Sequence, residues 1–186
     1  MRCSNTLASG DCRVRCASPD DAEVLSALGS QTFIDTFAAG TPAEDLELFI
    51  RERFAPDRLQ KLLGDPSCSF LLAEIRGCAM GYAGLRDTAL PKMDDGSLDI
   101  GTRNPVQLYG LYIVRELHSS GYGSLLFAAA LQHARERGAD VLWLSVWEYN
   151  AKAIDFYRRK GLTEAGLIDY PVGNDPQKDY VYWIRL

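Results

Sequence analysis

The stretch HSSGYGSLLFAAAL, His118 to Leu131, places two glycines one residue apart at the start of an apolar run with helical spacing. Glycine costs a helix about 1 kcal/mol relative to alanine, so its double use at a helix start needs a reason. Turn and cap geometry supply one, because glycine reaches backbone conformations closed to other residues. The other is an anion resting on the chain. The first N–H groups of a helix have no internal partner, and the macrodipole adds positive potential there. A Gly-x-Gly pair alone does not choose between the two. Two familiar phosphate loops are excluded: the third glycine of Gly-x-Gly-x-x-Gly is missing, and no Gly-Lys-Ser/Thr follows.

The flanks are more informative. VQLYGLYIV (106–114) reads as a strand, the quoted stretch opens a helix to about Arg137, and Gly138 ends it. DVLWLSVW (140–147) reads as a buried strand, which a crossover helix should place parallel to the first. A short helix follows in NAKAIDFYRRKG (150–161), closed by Gly161, and DYVYWIRL (179–186) is a last strand. Upstream, CRVRCAS (12–18) is a first strand, and Asp20 is placed to cap a helix carrying Ala22, Leu25 and Leu28. SQTFIDTFAAG (30–40) has no clear assignment. Two further helices follow Pro42 and span 56–65, the first with Leu46, Phe49, Ile50 and Phe54 on one face. CSFLLAEI (68–75) and CAMGYAGLR (78–86) form a hairpin turning at Arg76-Gly77. The polar stretch 87–105 is too long for an ordinary connection, so it is either functional or disordered.

With 186 residues, 47% of them hydrophobic and 24% charged, the chain reads as a single α/β domain over 1–186. Residues 1–11 are set apart as an N-terminal extension that could be flexible. No stretch approaches the roughly 20 apolar residues of a membrane span, and the first residues lack the apolar core of a secretory signal. Five cysteines without Cys-x-x-Cys spacing suggest reduced thiols in a cytoplasm. Two histidines offer no zinc set, so no metal is expected. A net charge of −5 disfavours nucleic acid and suits a small cation better.

HSSGYG resembles the Gln/Arg-x-x-Gly-x-Gly/Ala signature of the GNAT superfamily of N-acetyltransferases, with His118 where Gln or Arg is usual. VWEYNAKAIDFYRRKGL is similar to the second signature of that superfamily, with Asn150, an Ala-x-x-Phe-Tyr run ending in Tyr157, and Gly161. QTFIDTF, FAPDRLQKLL and the second signature also resemble polyamine N-acetyltransferases of the PaiA type. The resemblance implies a GNAT fold: a central mixed, twisted sheet with splayed parallel strands and flanking helices. It implies acetyl-CoA as co-substrate, a small primary amine such as a polyamine as acceptor, no nucleic-acid or membrane partner, and a homodimer as the form often seen.

Residue by residue, the resemblance puts the pantetheine arm along Leu111, Tyr112 and Ile113. It puts the pyrophosphate on the backbone of His118, Ser119, Ser120, Gly121, Tyr122, Gly123 and Ser124. Asn150 would hold the arm with its amide, and Tyr157 would protonate the departing thiolate. The N–H of Ile113 would face the developing oxyanion.

The base is not assigned by the motifs. An amine with a pKa near 10 arrives protonated at neutral pH and must lose a proton. Strand alternation would put Tyr109 on one face with Leu111 and Ile113, where it could order a water that carries the proton away. Glu148 is the nearest carboxylate in sequence, and no single carboxylate is expected to be essential. For the acceptor, Phe33, Phe37, Tyr82 and Tyr109 are candidate walls, and Asp35, Glu44, Asp94, Asp95 and Asp99 candidate charges. The stretch 87–105 is expected to fold over that side. The competing readings are a non-catalytic acyl-CoA-binding or regulatory module, and an enzyme for an amino acid or peptide N-terminus.

Overall fold

The computed structural model describes residues 7–9, 12–93, 96–97, 100–172 and 175–186. In chain order the elements are β1 (Leu7–Ser9), β2 (Cys12–Cys16), α1 (Ala22–Phe37), α2 (Ala43–Arg53), α3 (Pro56–Gly64), β3 (Cys68–Ile75) and β4 (Cys78–Asp87). A two-residue pair follows, β5 (Lys92–Met93) and β6 (Gly96–Ser97). The second half holds β7 (Pro105–Ile113), α4 (Tyr122–Glu136), β8 (Val141–Trp147), α5 (Ala151–Arg159), β9 (Thr163–Asp169) and β10 (Lys178–Arg185). Eight strands form one mixed sheet in the order β1-β2-β3-β4-β7-β8-β10-β9. Every pairing is antiparallel except β7 with β8, the pair joined by the crossover helix α4.

Strand alternation divides the core between the two faces of this sheet. On one face α4 and α5 bury Leu126, Phe127, Ala130, Ala134 and Ile154 against Leu71, Ala83, Leu85, Val106, Leu142 and Leu144. On the other, Leu25, Phe33, Phe54 and Leu59 of the α1–α3 layer cover Phe70, Leu72 and Tyr82. Met93 packs with Trp143 and Val181 in a third, smaller cluster. Gly138 (φ +78°) and Gly161 (φ +83°) take the left-handed conformation that ends α4 and α5, as their positions in sequence suggest.

Several expectations change. The segment 30–40 largely belongs to α1, which runs unbroken to Phe37 because Thr32 is buried and returns its hydroxyl to the carbonyl of Leu28. Asp21, not Asp20, orders the start of that helix: its carboxylate accepts from the Ser18 N–H at 2.8 Å and pairs with Arg15 at 2.7 Å. Part of the N-terminal extension, Leu7–Ser9, is a sheet strand, and the rest of it lies outside the described residues. Cys16 is disulfide-bonded, which corrects the expectation of five reduced thiols, while Cys12, Cys68 and Cys78 are free. Among the described residues no helix is long and apolar enough to cross a membrane, and no cluster of His, Cys, Asp or Glu could hold a metal.

The Arg15 guanidinium bridges Asp21 and Glu74 (2.8 Å) and so ties the α1 entry to β2 and β3. It holds the Asp21 carboxyl down at about 2. A depressed carboxyl contributes stability that is complete above the unfolded pKa near 4 and is lost as pH falls toward 2. Asp21→Asn is therefore expected to cost about 1–2 kcal/mol at neutral pH. The loss of stability between pH 4 and 2 should become shallower, which urea melts across that range would show.

Candidate functional site

β7 and β8 are paired only from Pro105–Gln107 to Val141–Trp143. Beyond that the sheet opens between them, and a cavity penetrates the opening. Leu111 and Tyr112 line it from β7, Ser145 and Trp147 from β8, Asn150 and Tyr157 from α5. Val114 N–H bonds the Met80 carbonyl at 2.9 Å, and Ile113 is the register partner of Gly81. Ladder alternation then turns the backbone groups of Tyr112 toward β4 and those of Leu111 and Ile113 toward the gap. Accordingly the Ile113 carbonyl is met from outside the ladder, by His118 Nε2, which donates to it at 2.9 Å. His118 thus folds back onto the end of β7.

One irregularity re-aims Tyr109. The β4–β7 register slips between Gly84 and Leu85, so Gly84 faces Gly110 while Leu85 faces Leu108, and Tyr109 is the extra residue of a bulge. The slip reverses the faces downstream. Leu108, Leu111 and Ile113 pack on the α4–α5 side, and Tyr109 and Tyr112 on the α1–α3 side. This corrects the expectation that Tyr109 points with Leu111 and Ile113. Tyr109 packs edge-on against Phe70 at 5.6 Å, beneath the guanidinium of Arg53. Tyr112 leaves the expected cofactor set: its ring stacks on Tyr82 at 5.5 Å, forming part of the wall.

The two glycines have different reasons. Gly121 is the N-cap of α4 at φ +87°, a left-handed conformation that strains any side chain. Gly123 has no such constraint: an added Cβ would meet only Phe156 Cε2, at 3.9 Å. The fold leaves room for a side chain there, so packing alone does not call for glycine. Ser119 is also left-handed (φ +64°), which makes the loop a concave run of amides. Ser120 N–H is spent on Leu117 and Leu125 N–H on Gly121. Among the described residues the N–H groups of Ser119, Gly121, Tyr122, Gly123 and Ser124 have no protein acceptor. This is a cradle for an anion at a helix N-terminus.

Asn150 caps α5, its Oδ1 accepting from Ala153 N–H at 3.2 Å, which leaves its amide N–H₂ toward the cavity. Tyr157 is 8% exposed, packed beside Phe127 and Phe156, and burial pushes its phenol well above the usual value. It is a protonated hydroxyl at any physiological pH. Phe33, Phe37 and Tyr82 line the cavity as expected. Asp35 and Glu44 are exposed and do not, and Asp94, Asp95 and Asp99 lie outside the described residues. No described residue of 88–104 lines this cavity; Met93 instead covers Trp143 and Val181. The expected lid role is not seen among the described residues.

The carboxylate in the cavity is Asp179, which the sequence motifs did not point to. It is the second residue of β10, opposite Trp147, is 6% exposed, and accepts a 2.7 Å hydrogen bond from Ser145 Oγ. Burial pushes its carboxyl up to about 6; the Ser145 bond and the Arg53 charge oppose that rise, and nearby Glu148 adds to it. Glu148 itself is half-buried beside this group and does not line the cavity. A signal was present in sequence: an acid opening an otherwise apolar, aromatic strand.

A mixed sheet parted at two parallel strands, with a glycine-opened helix after the first, defines the acyltransferase class that the motifs resemble. The chain belongs to the Acetyltransferase (GNAT) family, whose model matches residues 32–162. It is 29% identical over 164 residues to an uncharacterized N-acetyltransferase in the pepI 3' region of Lactobacillus delbrueckii subsp. lactis, covering 88% of this chain and 91% of the relative. An uncharacterized N-acetyltransferase of Mycobacterium tuberculosis is 28% identical over 161 residues, 87% of this chain and 95% of the relative. In fold the chain is similar to the PaiA N-acetyltransferase of Thermoplasma acidophilum, solved in complex with coenzyme A. That match has a TM-score of 0.75 at 20% identity and covers 94% of this chain and 99% of the other.

Proposed function

We propose that this acetyltransferase moves an acetyl group from acetyl-CoA directly to the primary amine of a small molecule in the gap between β7 and β8. The amides of Ser119 and Gly121–Ser124 fit a pyrophosphate, and the gap-facing backbone of Leu111 with the N–H of Ile113 fits an extended pantetheine arm. The observation that carries the reading is that Tyr157 and Asp179 reach one cavity, from α5 and β10. Asp179 takes a proton from the acceptor ammonium, and the neutral nitrogen bonds to the thioester carbonyl carbon. The Ile113 N–H steadies the oxyanion as the C–S bond breaks, and Tyr157 gives its proton to the departing thiolate. The acylated nitrogen sheds its second proton through water to the Tyr157 phenolate, Asp179 returns its proton to solvent, and the products are an N-acetyl amide and the free thiol. Among the described residues no cysteine lies on the cavity wall, and direct transfer to the amine calls for none.

Thiol release from acetyl-CoA with a panel of amines tests this reading. Turnover with any amine supports it; tight coenzyme A binding without turnover on any amine would make the protein a binding module. Tyr157→Phe is expected to lower kcat by roughly 10- to 1000-fold with coenzyme A affinity nearly unchanged. A wild-type rate in that variant would leave Tyr157 a packing residue. A polyamine acceptor is supported by the PaiA-type motifs and by the fold similarity to one PaiA enzyme. A homodimer is supported by the family resemblance, and sedimentation of the purified protein reads it.

A further inference from the structure

Arg53 stands out among the arginines that this fold draws inward. Arg15 is paired with Asp21 and Glu74, and Arg137 with Asp87. Arg53, the last residue of α2, reaches into the cavity among aromatic rings, its guanidinium carbon 5.6 Å from the centroids of both Phe49 and Tyr109. One of its N–H groups donates to the Tyr109 carbonyl at a long 3.4 Å. Among the described residues no carboxylate lies within ion-pair distance of it. A guanidinium stays charged at every physiological pH and offers five donors in a rigid fork. Withdrawing such a group from water without a counter-ion is costly, and the ring faces recover only part of that cost.

The rest of the wall does not supply the missing charge. Arg58 and Arg86 line the same cavity, and Arg86 lies over Tyr109 at 5.6 Å while bonding Gln107. Against these three cations the lining, among the described residues, holds one acid, Asp179, which accepts from Ser145 and lies beyond ion-pair distance of Arg53. A polyamine would bring further positive charge to a wall that already carries an excess of it. Resting on the acetyl-transfer reading above, we propose that Arg53 is an anion subsite and that the acceptor is a small amine bearing a carboxylate. Its amine lies toward Asp179 and the thioester, and its carboxylate is held by the Arg53 fork against Phe49 and Tyr109.

The test pairs carboxylate-bearing amines (α-amino acids and ω-aminocarboxylates of two to six carbons) with alkylamines and diamines of matched length, all assayed by thiol release. The best carboxylate-bearing amine is expected to exceed its matched alkylamine in kcat/KM by about 30-fold or more. Arg53→Met should bring that ratio close to one, and Arg53→Lys should restore part of it. A wild-type preference for diamines or plain alkylamines would overturn the proposal. So would a ratio unchanged in Arg53→Met, and a thermal melt shows whether that variant is folded. Calorimetry with the acetylated products reads the same subsite without turnover. Preference for the carboxylate-bearing product with no turnover on any amine would overturn acetyl transfer and keep the subsite. Turnover without carboxylate preference would do the reverse.

Discussion

Asp179→Asn is expected to lower kcat/KM for the best amine by roughly 10²- to 10⁴-fold, the size of a lost general base. The substitution keeps the shape and leaves an oxygen to accept from Ser145 Oγ, so the cavity should survive. In the wild type, kcat/KM should rise with pH as Asp179 ionises around 6. The variant should lack that rise and gain rate only as the amine itself loses its proton. Stability should move the other way. The folded carboxyl sits at about 6, above the ordinary aspartate value of about 4, so the native state binds the proton more tightly than the unfolded chain does. Stability therefore falls as pH climbs from 4 to 6, by an amount on the order of 3 kcal/mol once the group is ionised. Asparagine never ionises, so the variant should be more stable than wild type at pH 8, by roughly 1–3 kcal/mol. A less active but more stable enzyme separates a base from a structural residue. A variant with wild-type rates and an unchanged acid limb would remove Asp179 from the chemistry. Glu148→Gln, outside the cavity, should change kcat/KM only modestly.

Gly123→Asp is expected to weaken coenzyme A binding by well over tenfold, about 1.4 kcal/mol or more. The chain itself gives little reason for damage, since a Cβ at this position meets only Phe156 at 3.9 Å. An aspartate in the first turn of α4 even complements the helix dipole, so the melting temperature should hold or rise. The loss would come from placing a side chain and a negative charge where the amides of Gly121 to Ser124 face an anion. Gly123→Ala should fall between the two, adding bulk without charge. Calorimetry showing unchanged affinity in the folded Gly123→Asp protein would move the pyrophosphate elsewhere.

The contrast between these two positions shows what one chain's sequence carries. The strand, glycine pair and helix of 106–136 are local, so spacing laid them out, while Asn150 and Tyr157 came from the resemblance of one short helix to a family signature. The bulge at Tyr109 was not legible because it is a matter of register between β7 and β4. An unbroken alternation read off residues 106–114 therefore put Tyr109 on the wrong face, with Leu111 and Ile113. Asp179 is brought to Ser145 only by the pairing of β10 with β8, across 34 residues of chain. Arg53 ends a helix whose pattern reads as a solvated face carrying one apolar stripe, and nothing in that pattern marks which arginine turns inward. The stretch 87–105 reads as too long for a plain connection, but composition could not tell which part of the sheet it covers.

Coenzyme A lying along the parted edge of β7, with its pyrophosphate on the α4 amides, would shield a specific set of backbone N–H groups. Amide hydrogen exchange of the whole protein, with and without coenzyme A, measures this most directly. Leu111, Ile113, Ser119 and Gly121 to Ser124 should gain protection together on binding, while Tyr112, already bonded to β4, should change little. Coenzyme A that binds yet leaves the amides of Ile113 and Gly121 to Ser124 exchanging as before would contradict the account.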